Sequence, residues 1–459
     1  MVTPGPMTLP PRLVVAAPSS GSGKTTLTTG LLGALRAKGT RAAPFKVGPD
    51  YVDPGYHALA AGRPGRNLDP VMVGEERIAG LLAHGAVGAD LAVVEGVMGL
   101  FDGRIGTDPG GPDGSTAHLA RLLDAPVLLV VDARGQSRSV AALVAGFARF
   151  DPRVRVGGVV LNRVGSERHG DALRAACAEI GMGVLGVVPR RAELAVPSRH
   201  LGLVTATEHG GAAHEAVEAM AALVAEHVDL AAVEALARSA PSTPATAWHP
   251  TSEVAAVSGS PVVAVAGGPA FTFGYPEQAE LLAAAGAEVV TVDPLRDEAL
   301  PAGTRALVLP GGFPEEHVGE LAANTALHAA VRSLAASGAP VHAECGGLLY
   351  LARTLDGAPM CGVLDADAAM GPRLHLGYRT ATATVDSPVA AAGETVTGHE
   401  FHRTVTTPRA HGTGAWTWPG HEPEGHVVGG VHASYLHTHP AGRPTGVERF
   451  VRAAARSGS

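Results

Sequence analysis

One short segment near the N-terminus restricts the fold of this chain more than any other. The apolar run 12–17 is followed by a Gly/Ser loop that ends in Gly-Lys-Thr at 23–25, and an amphipathic stretch then continues to Gly39. A buried strand, a glycine-rich loop and a helix in this order form the unit that wraps phosphate groups with backbone N–H groups. Pro18 replaces the first glycine of the usual pattern, but the flanking strand and helix still predict a phosphate-binding loop.

Each residue type in this loop has a defined chemical use. Glycines let backbone N–H groups approach phosphate oxygens, Lys24 supplies a positive charge, and the Thr25 hydroxyl is placed for Mg²⁺. An ordinary Gly/Ser surface turn is the alternative, and the sequence on either side disfavours it. The residues predicted to bind ATP are Ser20, Gly21, Ser22, Gly23, Lys24, Thr25 and Thr26.

Apolar runs recur along the first half of the chain, with helical patterns between several of them. These runs lie at 91–96, 125–133, 156–164 and around 187. Their alternation with helices predicts an α/β fold with a parallel sheet that is covered on both faces.

The length of the chain and a change in its composition indicate two domains. A chain of 459 residues is too long for one ordinary core. The Ser-, Thr-, Pro- and Ala-rich stretch 239–260 has no clean periodicity and predicts a linker, after which a second α/β series begins. We therefore predict an N-terminal domain at 11–238 and a C-terminal domain at 261–455.

A cysteine in the second half has the setting of a nucleophile. Cys345 follows the strand-like PVHAE and precedes the helix-like GGLLYLART, and a helix N-terminus stabilises a thiolate. His437, which ends a later apolar segment, is the candidate base. Gly311, Gly312 and Phe313 follow another strand-like run and offer backbone N–H groups for an oxyanion hole. An inert core cysteine is the alternative, which the flanking glycines disfavour.

The remaining cysteines and histidines favour packing over chemistry. Cys177 lies within a helical pattern and Cys361 beside a predicted strand. Three cysteines cannot form a disulfide framework, and so sparse a number is typical of a reducing cytosol. His432 and His439 flank His437, but no cysteine or carboxylate at matching spacing completes a zinc site.

Charge and hydropathy exclude several classes of partner. The net charge is −8 and the basic residues are not clustered, so nucleic-acid binding has no electrostatic basis. No apolar run reaches the roughly 18 residues of a membrane span, and the N-terminus lacks the pattern of a signal peptide. We expect a cytoplasmic protein with no membrane partner.

Two carboxylates are candidates to complete a metal site with Thr25. Glu95 follows an apolar strand, and Asp50 lies in a polar loop after another; Mg²⁺ prefers such oxygen ligands together with phosphate and water. Lys46 and His57 lie near Asp50 in sequence and could meet an anionic substrate. Solvated surface positions are the alternative for the carboxylates, and a structural role is the alternative for His57.

Long motifs recur through the chain, from about Leu13 to Phe450. They include PFKVGPDYVDPGYH (44–57), GRPGRNLDP (62–70), EGVMGLFDG (95–103), GSTAHLARLL (114–123), LNRVGSERH (161–169), PSRHLGLV (197–204), GGFPEEH (311–317), AECGGLLYL (343–351), LGYR (376–379), GHEFH (398–402) and HASYLH (432–437). In these motifs the chain resembles the cobyrinic/hydrogenobyrinic acid a,c-diamide synthase family of cobalamin biosynthesis.

The resemblance implies a fold and an activity for each half. The N-terminal half is similar to the dethiobiotin-synthetase type of P-loop domain, and the C-terminal half to a class I glutamine amidotransferase of the cobyric-acid-synthase type. Such enzymes amidate the a and c acetate side chains of a corrin ring, using ATP and two glutamines. An acyl phosphate would receive ammonia that a Cys–His pair releases from glutamine.

Carried over by position, the resemblance also implies roles for residues. Cys345 would be the nucleophile and His437 its base. MgATP would be held by Lys24, Thr25, Asp50 and Glu95, with Asn162 facing the adenine. The corrinoid side would be lined by Lys46, Tyr51, Asp53, His57, Asn67, Asp69, Asp102, Ser115 and Thr116.

One position departs from ordinary class I amidotransferases. They carry Glu two residues after the catalytic His, where this chain has His439, so the third member of the triad is absent or is supplied elsewhere.

Three alternatives concern the function as a whole. A partitioning-type ATPase would carry an extra lysine early in the phosphate loop, where Ser19 and Ser20 stand. A carboxylating ligase would not need the thiol domain. Within the family, the scarcity of lysine beside arginine is typical of GC-rich genomes and favours hydrogenobyrinate, while cobyrinate stays the alternative substrate. The sequence leaves a homodimer open.

Overall fold

The computed structural model describes residues 7–105, 113–190, 198–199 and 202–457. The chain divides into two compact units, Met1–Trp248 and His249–Ser459. The stretch 239–260 contains a four-residue helix and a short strand, and this strand pairs with residues 7–8 at the start of the first unit. The domain bounds predicted from the sequence stay a prediction. Within the motif 197–204, Pro197, His200 and Leu201 lie outside the described residues.

The first unit alternates strands and helices. Its strands are β1 (Met7–Thr8), β2 (Arg12–Ala16), β3 (Ala42–Val47), β4 (Arg66–Leu68), β5 (Leu91–Glu95), β6 (Val127–Asp132), β7 (Val156–Val164), β8 (Val184–Pro189), β9 (Ser198–Arg199), β10 (Gly202–Leu203) and β11 (Pro244–Ala245). Its helices are α1 (Lys24–Ala37), α2 (Asp53–Ala61), α3 (Pro70–Val73), α4 (Glu75–Gly85), α5 (Thr116–Leu122), α6 (Ser139–Phe150), α7 (Glu167–Glu179), α8 (Ala206–His209), α9 (Gly211–His227) and α10 (Leu230–Arg238).

Seven of these strands form one sheet in the order β4-β3-β5-β2-β6-β7-β8. Every pair in it is parallel, which confirms the prediction from alternating apolar runs. All residues of β2, β3 and β5 are buried, because helices cover both faces, and this explains their continuous apolar sequence. The register places Glu95 opposite Lys46 on one side and Val15 on the other, so the carboxyl ends of three strands meet beside the phosphate loop.

The second unit combines two sheets. Its strands are β12 (Val262–Ala266), β13 (Glu288–Val292), β14 (Thr304–Leu309), β15 (Val341–Glu344), β16 (Thr354–Leu355), β17 (Ala358–Pro359), β18 (Asp367–Ala383), β19 (Thr395–Thr407), β20 (Trp416–Thr417), β21 (His426–Val428), β22 (Val431–Ser434) and β23 (His437–Thr438). Its α-helices are α11 (Pro250–Glu253), α12 (Pro276–Ala284), α13 (Val318–Ala323), α14 (Thr325–Ala336), α15 (Gly346–Leu351) and α16 (Pro444–Arg456); 3₁₀ turns lie at Pro314–Glu316 and Pro440–Gly442.

The first of these sheets has the order β13-β12-β14-β15-β22-β21. All of its pairs are parallel except the β21–β22 pair, as the second alternating series predicted. Cys345 follows β15 and begins α15, and the turn 311–313 follows β14. Both therefore lie at the carboxyl edge of this sheet.

The second sheet was not predicted from the sequence. It is built around the long antiparallel pair β18–β19 and has the order β17-β16-β18-β19-β23. Burial alternates along the second half of β19, but the buried residues there, His402, Thr404 and Thr406, are polar. The strand therefore resembles a polar loop when only apolar runs are sought. Among the described residues, no helix has the length and apolar character needed to cross a membrane.

Candidate active sites

Backbone geometry in the phosphate loop requires glycine at defined positions. Gly21 and Gly23 have φ of +75° and +96°, which favour glycine. A Cβ on Gly23 would also lie 2.2 Å from Nδ2 of Asn162. That amide donates to the carbonyl of Ser22 at 2.9 Å, so Asn162 braces the loop. Its role at the adenine stays a prediction.

Lys24 is held over the loop by carbonyl groups. Its Nζ donates to the carbonyl oxygen of Met98 at 2.6 Å and to that of Ser19 at 3.4 Å. Burial, and then the charge of Lys46, lowers the pKa of Lys24. The ammonium group thus lies at the mouth of the loop, where it donates to neutral carbonyl oxygens. The charged oxygens of a phosphate would be stronger acceptors at the same place.

Beside the loop lies a carboxylate cluster, which we define as the buried Asp53 and Glu95 together with the partly buried Asp50. Lys46 contacts all three: its Nζ lies 2.5 Å from Asp53 Oδ2, 2.7 Å from Glu95 Oε1 and 3.6 Å from Asp50 Oδ2. The Thr25 hydroxyl lies 2.8 Å from Glu95 Oε1 and 3.0 Å from Asp53 Oδ2. The structure therefore brings the predicted metal ligands together, and it adds Asp53, which the sequence assigned to the substrate side.

Opposite charges decide the ionisation of this cluster. Burial opposes the charge on Glu95, but Lys46 and then His57 outweigh it and hold the pKa of Glu95 well below its ordinary value. Burial also opposes the charge on Lys46, and the carboxylates of Asp53 and Glu95 raise the pKa of that lysine well above its usual range. Burial and the neighbouring Asp50 raise the pKa of Asp53 to about 7.

His57 completes the cluster from α2. Its Nε2 lies 2.7 Å from Glu95 Oε2, and both side chains are fully buried. This contact agrees with a structural role for His57, in which the imidazole orients the Glu95 carboxylate. A role of His57 in binding substrate stays a prediction.

The donor set of this cluster fits a magnesium ion. Carboxylate and hydroxyl oxygens converge on a buried position that already carries a cationic ammonium group, and Mg²⁺ takes few protein ligands plus phosphate oxygens and water. Within the described residues, no group of three or more His, Cys, Asp or Glu side chains forms a metal site by itself. Phosphate oxygens and water are the ligands that Mg²⁺ takes besides such protein oxygens.

The other predicted substrate residues shape the loops around the cluster. Asn67 donates to the carbonyl groups of Gly48 and Asp50 at 2.7 Å each, and half-buried Tyr51 lies in the same loop. Asp69 caps α3 by accepting from two backbone N–H groups. These contacts fix loop shape, and binding of a corrinoid by these residues stays a prediction.

A second group of predicted residues lies after β5. Thr116 donates to the carbonyl of Val97 at 3.1 Å, Ser115 caps α5, and Asp102 accepts from the N–H of Gly99 at 2.9 Å. The segment they hold carries Met98, the partner of Lys24. These contacts place the three residues beside the phosphate loop, and their role in lining the corrinoid side stays a prediction.

Arg163 was missed by the sequence analysis. It has φ of +59° at the end of β7, and its Nη1 donates to the carbonyl of Gly21 at 2.7 Å and to Asp132 Oδ2 at 2.6 Å. The available signal was its place directly after Asn162, at a strand end that faces the loop. Arg163 therefore ties the phosphate loop to β6.

Cys345 occupies a sharp turn between β15 and α15. Its φ of +46° is a strained, left-handed conformation, and its N–H donates to the carbonyl of Ser434 at 2.7 Å. A Cβ on Gly346 would lie 2.9 Å from the nitrogen of Gly312, and one on Gly347 would lie 2.2 Å from the carbonyl oxygen of Leu309. The turn therefore requires both glycines, as a nucleophile elbow does.

The predicted oxyanion turn connects this elbow to His437. A Cβ on Gly311 would lie 2.4 Å from Cε1 of His437, and Gly312 lies against Gly346. Phe313 is buried edge-on against Phe273. The structure thus brings the predicted nucleophile, base and oxyanion residues into one place.

Burial opposes charge on both Cys345 and His437. Burial, then the nearby Glu315, raises the pKa of the Cys345 thiol far above its ordinary value. Burial, then His399, lowers the pKa of His437 to about 3. Burial thus opposes the thiolate that the helix N-terminus was expected to stabilise, and the N–H of Gly346 offsets only part of that effect.

The other cysteines and histidines have structural settings. Cys177 and Cys361 are buried in the cores of their units. His432 is buried, and burial holds its pKa well below the ordinary value. Packing therefore describes the surroundings of these residues, and the choice of packing over zinc stays a prediction.

The carboxylate cluster predicts a measurable effect on stability. Replacing Lys46 with methionine leaves ionised carboxylates facing one another, so unfolding should become easier by about 3 kcal/mol. The loss should shrink below pH 7, because Asp53, with its pKa of about 7, then takes up a proton. Urea unfolding above and below that pH measures both effects. Lys38→Met, which removes a half-exposed ion pair with Glu234, should change stability by about 1 kcal/mol or less; equal losses would contradict the prediction.

Two family models match the chain. Residues 13–204 match the CobQ/CobB/MinD/ParA nucleotide binding domain, and residues 262–445 match the CobB/CobQ-like glutamine amidotransferase domain. The first range contains the phosphate loop and the carboxylate cluster, and the second contains Cys345 and His437.

Several curated proteins are similar over nearly the full length. The hydrogenobyrinate a,c-diamide synthase of Mycobacterium tuberculosis (H37Rv) is 60% identical over 449 residues, which cover 96% of this chain and 98% of that protein. The protein of the same name from Streptomyces coelicolor is 55% identical over 473 residues, covering 96% and 97%. The cobyrinate a,c-diamide synthase of Gloeobacter violaceus is 44% identical over 445 residues, covering 96% of each.

Similarity to solved structures is much weaker. The structure of PurLQS from Thermotoga maritima matches with a TM-score of 0.33 and 16% identity, covering 42% of this chain and 96% of that chain. So low a score carries no argument about the chemistry.

Proposed function

Because this chain belongs to the family of hydrogenobyrinate and cobyrinate a,c-diamide synthases, we propose that it amidates the a and c acetate side chains of hydrogenobyrinate, using ATP and glutamine. The observation that carries the proposal is 60% identity over 96% of the chain to a relative of that name. The nucleotide-binding and amidotransferase domains supply the two half-reactions that such a synthase needs.

The first half-reaction activates the carboxylate. A carboxylate oxygen of the corrinoid attacks the γ-phosphorus of ATP, the bond to the β-phosphate oxygen breaks, and an acyl phosphate and ADP result. Because this transfer depends on positioning and charge neutralisation, the loop N–H groups hold the phosphates and Lys24 neutralises the transferred group. Mg²⁺, held by Thr25, Glu95 and the neighbouring aspartates, would neutralise further phosphate charge.

Lys46 has a place in this half-reaction as well. In the free protein its ammonium group is the cation that offsets the carboxylate cluster. A metal at the cluster would take over that charge balance, and the Lys46 ammonium would then be available to an anionic side chain of the substrate.

The second half-reaction liberates ammonia. Sγ of Cys345 attacks the side-chain amide carbon of glutamine, while His437 takes the thiol proton and passes it to the leaving nitrogen. The N–H groups of the turn 311–313 would stabilise the oxyanion. Water then hydrolyses the thioester to glutamate. The ammonia attacks the acyl phosphate, inorganic phosphate leaves, and the amide is formed.

The choice of hydrogenobyrinate over cobyrinate rests on the relatives. Those at 52–60% identity bear the hydrogenobyrinate name, whereas those at 40–44% bear the cobyrinate name. A cytoplasmic location and the absence of nucleic-acid and membrane partners belong to the same proposal, since all three substrates are small soluble molecules.

Side-by-side turnover of the two corrinoids tests the proposal. Purified protein with Mg²⁺, ATP and glutamine should convert hydrogenobyrinate to the diamide, with one glutamine and one ATP consumed per amide formed. Cobyrinate should give the lower kcat/KM. ATP hydrolysis without glutamine consumption on either corrinoid would refute the proposal, and faster turnover of cobyrinate would refute the assignment of the substrate.

A further inference from the structure

The catalytic base lacks the usual carboxylate after it in sequence. A histidine base works best when its second ring nitrogen is held by an orienting group that also stabilises the imidazolium form. His439 stands at the usual position, but its Nδ1 accepts from the N–H of Ala441 at 3.2 Å, and its ring packs on Tyr275 with centroids 4.1 Å apart. This histidine caps a turn and adds no negative charge.

A carboxylate approaches His437 from a different strand. Glu344 is the last residue of β15, directly before Cys345, and its side chain is 12% exposed. Its Oε2 lies 3.8 Å from Nδ1 of His437. The nucleophile and this carboxylate are thus adjacent in sequence, on a strand that runs beside β22.

The second oxygen of the same carboxylate is fixed by the residue that follows the base. Glu344 Oε1 accepts from the backbone N–H of Thr438 at 3.0 Å and from the Thr438 hydroxyl at 2.9 Å. Because Thr438 donates both hydrogen bonds to Oε1, the other carboxylate oxygen, Oε2, is the one that faces His437. A distance of 3.8 Å exceeds a hydrogen bond, and catalytic contacts of this kind tighten when substrate binds.

We propose that Glu344 is the positioning residue for His437 in the glutaminase reaction, replacing the carboxylate that other class I amidotransferases place after the histidine. This inference rests on the proposed function. Contact of Nδ1 with Glu344 leaves Nε2 to take the thiol proton, and the negative charge stabilises the imidazolium that forms when Cys345 attacks. Glu344 itself touches no reacting atom.

The electrostatic setting shows why such a partner is needed. Burial holds the pKa of His437 at about 3, so the imidazole accepts a proton only when a negative charge lies nearby. Burial raises the pKa of Glu344 to about 7, against the hydrogen bonds from Thr438. The other titratable groups described as acting on Glu344 are His342, with Nε2 at 3.5 Å from Oε1, the guanidinium of Arg443 and the thiol of Cys345.

Glu344→Gln tests the charge while keeping an acceptor for Thr438. We expect kcat for glutamine hydrolysis to fall roughly 10- to 100-fold, with KM for glutamine, the unfolding midpoint and ammonia-driven amidation unchanged. The rise of kcat with pH through about 7, where wild-type Glu344 ionises, should disappear. Glu344→Asp, which restores the charge, should regain part of kcat.

Glu424→Gln is a matched control in the same unit. Glu424 is fully buried, accepts hydrogen bonds from Ser434 and from the N–H of Tyr435, and also has a pKa raised by burial to about 7. We expect this variant to keep the wild-type kcat and its pH dependence, because the Glu424 carboxylate is held by Ser434 and Tyr435, whereas Glu344 is held by Thr438 beside His437.

The outcomes separate this inference from the proposed function. Wild-type kcat in Glu344→Gln, an equal loss in Glu424→Gln, or a rise in KM together with a lower unfolding midpoint would each overturn the positioning role. If the wild-type protein itself hydrolysed no glutamine, the proposed function would fail, and this inference would fail with it.

Discussion

Replacing Cys345 with alanine is expected to abolish amidation driven by glutamine and to leave amidation driven by ammonium salts at the wild-type rate. The Sγ atom forms the covalent bond to glutamine, so its removal should lower glutamine hydrolysis roughly 10⁴-fold or more. Ammonia in solution bypasses this step, because the acyl phosphate accepts free ammonia. Product formation with each nitrogen donor, measured at saturating ATP and corrinoid, gives the comparison.

Cys361→Ala is the matched control for this experiment. Cys361 is also fully buried in the core of the second unit, so its replacement removes a similar volume and no reacting atom. Both donors should support wild-type rates in that variant. Retention of glutamine use by Cys345→Ala would exclude the assigned nucleophile, and loss of both donors would indicate damage to the fold.

The predictable parts of the fold are those in which a short sequence pattern, such as an apolar run or a glycine pair, is compatible with a single local structure. Fully buried parallel strands have to be apolar on both faces, so β2, β5 and β6 were recognisable as continuous runs. Gly21 and Gly23 are a local sign of left-handed backbone, which they adopt in the phosphate loop. The sharp turn at Cys345 similarly requires the two glycines that follow it. These local signals also located the phosphate loop and the nucleophile.

Contacts between distant segments could not be predicted in this way. The salt bridges of Lys46 depend on the register that sets it opposite Glu95, and nothing in the sequence states that register. The pairing of β18 with β19 spans a bulge between Met370 and His375, which breaks the simple alternation. Glu344 was overlooked because a carboxylate next to a nucleophile in sequence gives no sign that it faces a histidine 93 positions later.

Burial reverses one prediction that was made from local structure alone. A helix N-terminus stabilises a thiolate when water or a cation shares the charge. At Cys345 the side chain is buried and the carboxylates of Glu315, Glu344 and Glu400 act on it, so the pKa of the thiol rises instead. Burial and a raised pKa both lower the susceptibility of a thiol to oxidation.

Replacing Lys24 with alanine should abolish amidation with both nitrogen donors. This ammonium group is held by the carbonyls of Met98 and Ser19 at the mouth of the loop, where it would neutralise the transferred phosphoryl group. Loss of such a charge lowers phosphoryl transfer roughly 10³-fold or more. Glutamine hydrolysis by Cys345 is a separate reaction in the other unit, so the variant should still release ammonia from glutamine. Assays of ADP, glutamate and diamide distinguish these steps.

Lys38→Ala supplies the control at the far end of the same helix. Lys38 follows α1 and forms an ion pair with Glu234 at 3.1 Å, away from the phosphate loop, so this variant should make diamide at the wild-type rate with either donor. Diamide formation by Lys24→Ala at a comparable rate would contradict a role for the lysine in activation of the carboxylate. Loss of glutaminase activity in Lys24→Ala, with amidation by ammonia retained, would also contradict the prediction, because it would assign the lysine to glutamine hydrolysis instead of phosphoryl transfer. Cys345→Ala and Lys24→Ala should therefore show opposite patterns. Cys345→Ala should lose glutamine hydrolysis and keep amidation by ammonia, whereas Lys24→Ala should keep glutamine hydrolysis and lose amidation.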